Sequence, residues 1–385
     1  MMNSEGIDTV RLWKLAECGQ SYWLDNLTRE MLHNGELSAR IQGEGLRGIT
    51  SNPKTFSDSV RSGTLYNEEI ESLVAKGESS ESIYEALMVS DVQRACDEFE
   101  NLYRDTEGRD GYVSIEVDPR LAREAEATLV AARGLWKKVN RPNAMIKIPA
   151  TVDCLPTIEE ALVEGINVNI TLIFSVSRYR EVAACYLRAL RRREKEGREV
   201  DRLASVASFF LSRVDAKVDG LLEAAAVSPS ELELAEALRG KAAIALARTA
   251  YSDFKDLREG NAWKDALESK GARPQRLLWA STSVKDDRYP ESYYVDALVG
   301  KETVNTMPES TAEAFAKLGT VEKDAIERRD EEPEGVFEKL CSLGIDLEAV
   351  AQDLEEEGIQ KFVDAFEEGL LSVTRQAKQV RGDAV

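Results

Sequence analysis

The sequence predicts an α/β fold: a (β/α)8 TIM barrel with extra helices and an acidic, helical C-terminal extension. Three observations point there. Short apolar strands alternate with amphipathic, charge-rich stretches, the pattern of right-handed crossovers and a parallel sheet. Eight such strands can be read along 385 residues, the number that closes a barrel. No GxGxxG follows any of them, so the dinucleotide that usually occupies a doubly wound open sheet, the alternative architecture, has no fingerprint.

The strands are read in order. YWLDN (22–26) is the first and LRGITSN (46–52) the second. Residues 53–110 are too long for one crossover and are expected to hold several helices. YVSIEV (112–117) is followed by the amphipathic PRLAREAEATLVAARGLWKKV (119–139), then AMIKIPA (144–150) and INVNITLIF (166–174). The helical SRYREVAACYLRALRRREKEG (177–197) leads to LASVASFF (203–210), LLWAST (277–282) and ETVNTMP (302–308). From about 309 to 385 the chain reads as helical and acidic, with runs such as RRDEEPEG and DLEEEG expected to be solvated faces. No internal repeat or low-complexity linker breaks the sequence. One domain spanning 1–385 is expected, its extension packed on the barrel.

Composition bounds the function. Forty-three per cent of residues are hydrophobic, enough for a substantial core. Fifty Lys and Arg against seventy Asp and Glu leave a net charge of −20, which repels nucleic-acid backbones and anionic lipid. A small anionic substrate stays possible, because a few cations can set the potential of one cleft. No apolar run approaches the roughly 20 residues that span a bilayer, and the N-terminal MMNSEGIDTVRLWKLAECG lacks a signal-peptide core. A cytoplasmic protein is expected. Cys18, Cys96, Cys154, Cys185 and Cys341 contain no CxxC pair and read as reduced, buried thiols. His33 is the only histidine, which removes Ser-His-Asp and Cys-His catalysis and makes a zinc site improbable. Lysine and carboxylates must then carry the proton work.

Strand parity locates candidates. Ile115 and Val117 share one face and Ser114 and Glu116 the other. Ile146 and Ile148 oppose Lys147; Val168, Ile170 and Leu172 alternate with Asn167, Asn169 and Thr171. The apolar faces should meet the helices and the polar ones the lumen, near the strand ends where barrel active sites lie. Lys147 sits among Met145, Ile146, Ile148 and Pro149. Burying an ammonium is costly unless it is paired or loses its proton. Lys147 is therefore either a paired structural lysine or a nucleophilic amine able to form an imine. Glu116 and Thr171 on the flanking strands could hold a water beside it; a buried Glu–Lys ion pair explains the parity equally well. Asp25, at the end of the first strand, is a second carboxylate candidate or a turn and cap residue.

At this point the residues become recognisable. WLDNLTRE, GITSNP, SIEVDP, MIKIPAT, INVNITLIFS, SFFLSRVD, LLWASTSVKD and TVNTMP, in that order over residues about 20–310, resemble the transaldolase family in its longer bacterial type. The resemblance implies a barrel with a Schiff-base lysine at Lys147 and a place in the non-oxidative pentose phosphate pathway. It implies transfer of a dihydroxyacetone unit from fructose 6-phosphate or sedoheptulose 7-phosphate to erythrose 4-phosphate or glyceraldehyde 3-phosphate. Asp25 resembles the carboxylate that takes the C4 hydroxyl proton, and Glu116 with Thr171 the pair that positions catalytic water. Asn52 resembles the amide that holds the dihydroxyacetone hydroxyls, Ser208 and Arg213 resemble residues near the three-carbon unit and the phosphate, and Phe210 resembles the apolar wall beside the imine. Asn169, on the polar face of its strand, is a further substrate-binding candidate. The family's other type has a second phosphate-binding arginine after the seventh strand. Here STSVKD offers Ser281 and Lys285 instead, a point charge rather than a bidentate fork. The implied chemistry needs no metal or organic cofactor, sugar phosphates are the implied partners, and monomer or homo-oligomer is left open. A fructose 6-phosphate aldolase and a non-catalytic sugar-phosphate sensor are the rival readings. Glu116 and Phe210 speak against the first, and the full set of Asp25, Asn52, Glu116, Lys147 and Thr171 against the second.

Overall fold

Eight parallel strands pair in chain order, and the last pairs with the first, so the sheet closes on itself. They are β1 (Gln20–Leu24), β2 (Gly48–Thr50), β3 (Tyr112–Glu116), β4 (Ala144–Pro149), β5 (Val168–Ile173), β6 (Ser205–Phe210), β7 (Arg276–Ala280) and β8 (Thr303–Met307). This computed structural model describes residues 9–264, 267–328 and 332–381. Residues 1–8 of the polar N-terminal segment and 329–331 of the RRDEEPEG run lie outside the described residues.

Each strand falls within two residues of its expected span. β1 ends at Leu24, so Asp25 follows the strand instead of closing it. β4 to β8 are buried on both faces, as a sheet sandwiched between helices and a packed lumen must be. Inside the barrel Gly48 makes room for Trp23: a Cβ there would lie 2.4 Å from the indole. One expected alternation fails. The register of β5 against β6 shifts between Ile170 and Ile173, and Leu172 has a φ of 61°, left-handed backbone that costs a non-glycine residue energy. The bulge interrupts the strand one residue after Thr171.

Four helices fill the segment between β2 and β3: Pro53–Ser62, Asn67–Ala75, Ser80–Glu98 and Glu100–Asp105. The stretch 119–139 splits into a 3-10 turn, Pro119–Leu121, and a helix, Ala125–Val139. Ser175 caps the helix Val176–Lys195 by accepting from the Arg178 N–H. Helices Ser212–Ala225, Pro229–Leu238 and Ala242–Glu259 fill the long crossover after β6.

The chain ends in a 35-residue helix, Leu347–Arg381, that packs on helix Pro53–Ser62 and on β5. Leu354, Gly358, Phe362, Ala365, Gly369 and Val373 recur at helical spacing along its inner side. In the DLEEEG run Asp353 and Glu356 are exposed, while Leu354 and Gly358 are buried. The solvated-face reading therefore describes only half of that run. All five cysteines are unpaired; Cys96, Cys154 and Cys185 are buried, Cys18 is half-buried and Cys341 is exposed, against the expectation that all are interior. Among the described residues no helix is long and apolar enough to cross a membrane.

Candidate active site

The C-terminal ends of the strands open into a cavity of about 900 Å³. Lys147, Asn169, Thr171, Ser208 and Phe210 line it from the strands, and Asp25, Asn52, Arg213, Ser281 and Lys285 from the segments that follow them. Of the candidates read from the sequence only Glu116 is not at the cavity surface. It stands directly behind Lys147.

Glu116 and Lys147 are register partners on β3 and β4, and Glu116 Oε2 lies 3.7 Å from Lys147 Nζ, with both side chains about one-tenth exposed or less. The ion pair considered above is therefore present, but it is long. Glu116 Oε2 and Thr171 Oγ1 are buried and make no hydrogen bond within the protein. Both oxygens thus keep hydrogen-bonding capacity that the protein itself does not use. Burial pushes the Glu116 carboxyl above its ordinary value, and Lys147 offsets part of that rise.

The floor below Lys147 is a fixed polar chain across three strands. Asn169 Nδ2 donates to Ser114 Oγ at 3.0 Å, and Ser208 Oγ donates to Asn169 Oδ1 at 2.7 Å. The Asn169 amide is thus oriented at both ends. Asp25 follows β1, where its own N–H donates to the Met307 carbonyl at 3.0 Å and locks the β1–β8 seam. Burial raises its carboxyl as well, with Lys147 and then Lys285 pulling it back. Asn52 caps the helix Pro53–Ser62: its Oδ1 accepts from the Lys54 N–H at 3.0 Å, which leaves the Nδ2 end for the cavity.

Cations gather at one side of the rim. Arg213 lies in the first turn of helix Ser212–Ala225. Its Nη1 is buried without a hydrogen-bond partner in the protein, and burial holds the guanidinium below its ordinary value, with Glu357 giving only partial compensation. Lys285 is exposed and donates to Ser283 Oγ at 2.9 Å. Partial desolvation and then Arg213 lower it, while Asp25 pulls the other way, all under solvent screening. Ser281 carries a left-handed φ of 56°, and its Oγ is 3.0 Å from Ser212 Oγ, tying the end of β7 to the Arg213 helix. Phe210 leans on Phe174 with centroids 5.3 Å apart, and the Arg213 guanidinium lies 5.7 Å from its ring.

Sequence reading missed the fourth side of the cavity. The terminal helix contributes Phe362, whose ring centroid is 5.0 Å from Lys147 Nζ, and Lys361 beside it. Its signal was available in the spacing of Gly358, Phe362, Ala365 and Gly369, hidden among acidic residues. No cluster of three His, Cys, Asp or Glu placed to hold a metal ion occurs among the described residues. A largely buried amine, two carboxyls raised by burial and an arginine that is only partly compensated suit a carbonyl compound that carries an anion at its far end.

The chain as a whole is similar to known proteins. Residues 22–373 match the family model described as Transaldolase/Fructose-6-phosphate aldolase. A transaldolase of Saccharopolyspora erythraea is 44% identical over 95% of this chain and 98% of its own length. One of Thermobifida fusca is 43% identical over 95% and 98%. One of Trichodesmium erythraeum is 40% identical over 97% and 99%.

Proposed function

The chain belongs to the transaldolase/fructose-6-phosphate aldolase family, and from that premise we propose that it is a transaldolase acting through a Schiff base on Lys147. The observation that carries this reading is the Lys147 amine, held inside the lumen 3.7 Å from Glu116 and facing the same cavity as Asp25.

The Lys147 amine attacks the C2 ketone of fructose 6-phosphate or sedoheptulose 7-phosphate. The carbinolamine loses water, with Glu116 and Thr171 holding the molecule that relays its protons. Asp25 takes the proton of the C4 hydroxyl; the C3–C4 bond breaks, and its electrons flow into the iminium to give an enamine. The aldose phosphate leaves, glyceraldehyde 3-phosphate in the first case and erythrose 4-phosphate in the second. An incoming aldose phosphate accepts the enamine carbon, its carbonyl oxygen recovers the proton from Asp25, and water releases the new ketose phosphate from Lys147. The iminium is the electron sink, so the scheme calls for no metal or organic cofactor. Arg213 and Lys285 neutralise the phosphate, and Asn52, Asn169 and Ser208 orient the three-carbon unit. The place of such a reaction is the non-oxidative pentose phosphate pathway.

The test is product analysis with fructose 6-phosphate in the presence and absence of erythrose 4-phosphate. Sedoheptulose 7-phosphate should form with acceptor, and little dihydroxyacetone without it. Lys147→Arg keeps the charge but cannot form an imine, so it should abolish both while the protein stays folded. Rapid dihydroxyacetone release that ignores the acceptor points to an aldolase, and an active Lys147→Arg enzyme overturns the mechanism.

A further inference from the structure

We infer that Phe362, on the terminal helix, is a residue of the imine pocket: its ring face lies over the Lys147 nitrogen, steadies the cationic imine and keeps bulk water from it. This rests on the Schiff-base reading of Lys147 and adds a residue that no strand supplies.

The geometry is specific. The ring centroid stands 5.0 Å from Lys147 Nζ, within the range at which the negative face of an aromatic ring attracts a cation. Glu116 lies 3.7 Å away, and the Asp25 carboxyl, within reach of the same lysine's charge, lines the same cavity. A nitrogen that remains positive after dehydration therefore has one long ion pair, a second carboxyl across the cavity and one ring. Where the amine is largely buried, the ring counts for more than it would at a surface.

Phe362 is held there by close packing on both sides. Four residues earlier, a Cβ on Gly358 would come 3.0 Å from Leu172, and seven residues later, one on Gly369 would come 2.8 Å from the Tyr84 ring. Neither position has free room for a side chain, so the helix axis lies as near the barrel as backbone allows. The left-handed Leu172 that receives Gly358 directly follows Thr171. Phe366, one turn on, stacks edgewise on Tyr84 at 4.8 Å and lies under Arg120 at the same distance, anchoring the helix without facing Lys147. Ion pairs hold the helix along the cavity rim: Lys217 with Asp353 at 3.3 Å and Glu357 at 2.9 Å, and Arg61 with Glu368 at 3.2 Å.

Two consequences follow for the chemistry. Positive charge at the lysine nitrogen is stabilised in the iminium. Attack of water on that iminium is also slowed; once the C3–C4 bond has broken the fragment is an enamine, which water can release only after a proton returns it to the iminium. Leucine at 362 keeps an apolar side chain but has no ring face.

The experiment compares full-length Phe362→Leu and Phe366→Leu with the parent at a fixed, sub-saturating fructose 6-phosphate concentration. Borohydride reduction and peptide mass spectrometry read the fraction of Lys147 carrying an adduct. Phe362→Leu should trap roughly tenfold less, the equivalent of ~1.4 kcal/mol. Phe366→Leu, which loosens the helix but leaves the ring over Lys147, should stay within about twofold of the parent on the same scale. Undiminished trapping in Phe362→Leu overturns the inference and leaves the Lys147 mechanism standing, as does an equal loss in both variants, which would make Phe362 a packing residue. A parent enzyme that traps nothing on Lys147 removes the reading on which the inference rests.

Discussion

Asp25 and Glu116 are both carboxyls in a desolvated lumen, both raised by burial and both facing the same lysine, yet they stand on different sides of it. Glu116 is Lys147's neighbour in register, behind the amine, whereas Asp25 lines the open cavity. Asp25 is thus the carboxylate that can reach a hydroxyl on the substrate, and a raised carboxyl is a better proton acceptor near neutral pH. Asp25→Ala should still form the imine with intact donor but cleave it roughly 10²–10⁴-fold more slowly. Mass spectrometry after borohydride should then find the whole ketose phosphate on the enzyme; a variant that cleaves without accumulating that adduct contradicts the assignment. A different buried carboxyl bears on stability. Asp215, in helix Ser212–Ala225, accepts from the Ala243 N–H and the Tyr294 hydroxyl, each at 2.8 Å, and burial pushes it from 3.8 up to about 7. Between those values the folded state keeps a proton that the unfolded chain has lost, so stability falls as pH rises through the window and levels off above it. One proton corresponds to a slope on the order of 1.4 kcal/mol per pH unit. Asp215→Asn removes the charge: its Oδ1 can still accept from the Ala243 N–H, while its Nδ2 donates to the Tyr294 oxygen. It should be more stable than the parent at pH 8, with the gain shrinking towards pH 4 in thermal denaturation; a gain that does not change with pH contradicts this.

The strands were the legible elements, and the reason is physical. A segment buried on both faces must be apolar on one and can be polar only where the lumen needs it. Glu116, Lys147, Asn169 and Thr171 therefore stood out by parity alone. Two elements resisted that reading. The bulge at Leu172 follows from a left-handed backbone that leucine does not advertise. The terminal helix uses glycines where an amphipathic stripe normally shows large side chains, so its acidic outer face dominated the pattern. Asn52 was legible as a site residue but not as the cap of helix Pro53–Ser62. Roles at the phosphate end came only from resemblance, and there the helix after β6 makes its own prediction. Arg213 Nη1 is buried without a partner, a cost that an anion would relieve. Arg213→Ala should raise KM for fructose 6-phosphate at least tenfold while changing activity towards unphosphorylated dihydroxyacetone far less, by a few-fold at most. Equal losses on both substrates would make Arg213 structural.

For the molecule as a whole, a net charge of −20 and an anionic substrate are reconciled by a local group of cations: Arg213, Lys217, Lys285 and Lys361 line the cavity. Glu357, Asp364 and Glu368 of the terminal helix line it as well, and Glu357 and Glu368 are paired with Lys217 and Arg61. The barrel supplies eight strand ends facing one space, and the terminal helix closes that space over Lys147. Closure matters because an enamine that must wait for its acceptor needs few proton donors nearby. Composition indicated an acidic protein with one histidine, and parity placed an amine in the lumen. Neither could show that residues 354–373 return to the mouth of the barrel, because that contact joins Lys147 to Phe362, 215 positions later in the sequence. Borohydride reduction of the full-length protein with fructose 6-phosphate, followed by intact-mass and peptide mass spectrometry, tests the Schiff base most directly. A single three-carbon adduct, mapped to Lys147 and absent from Lys147→Arg, is the predicted result. An adduct on another lysine, or full activity with no adduct at all, would contradict it.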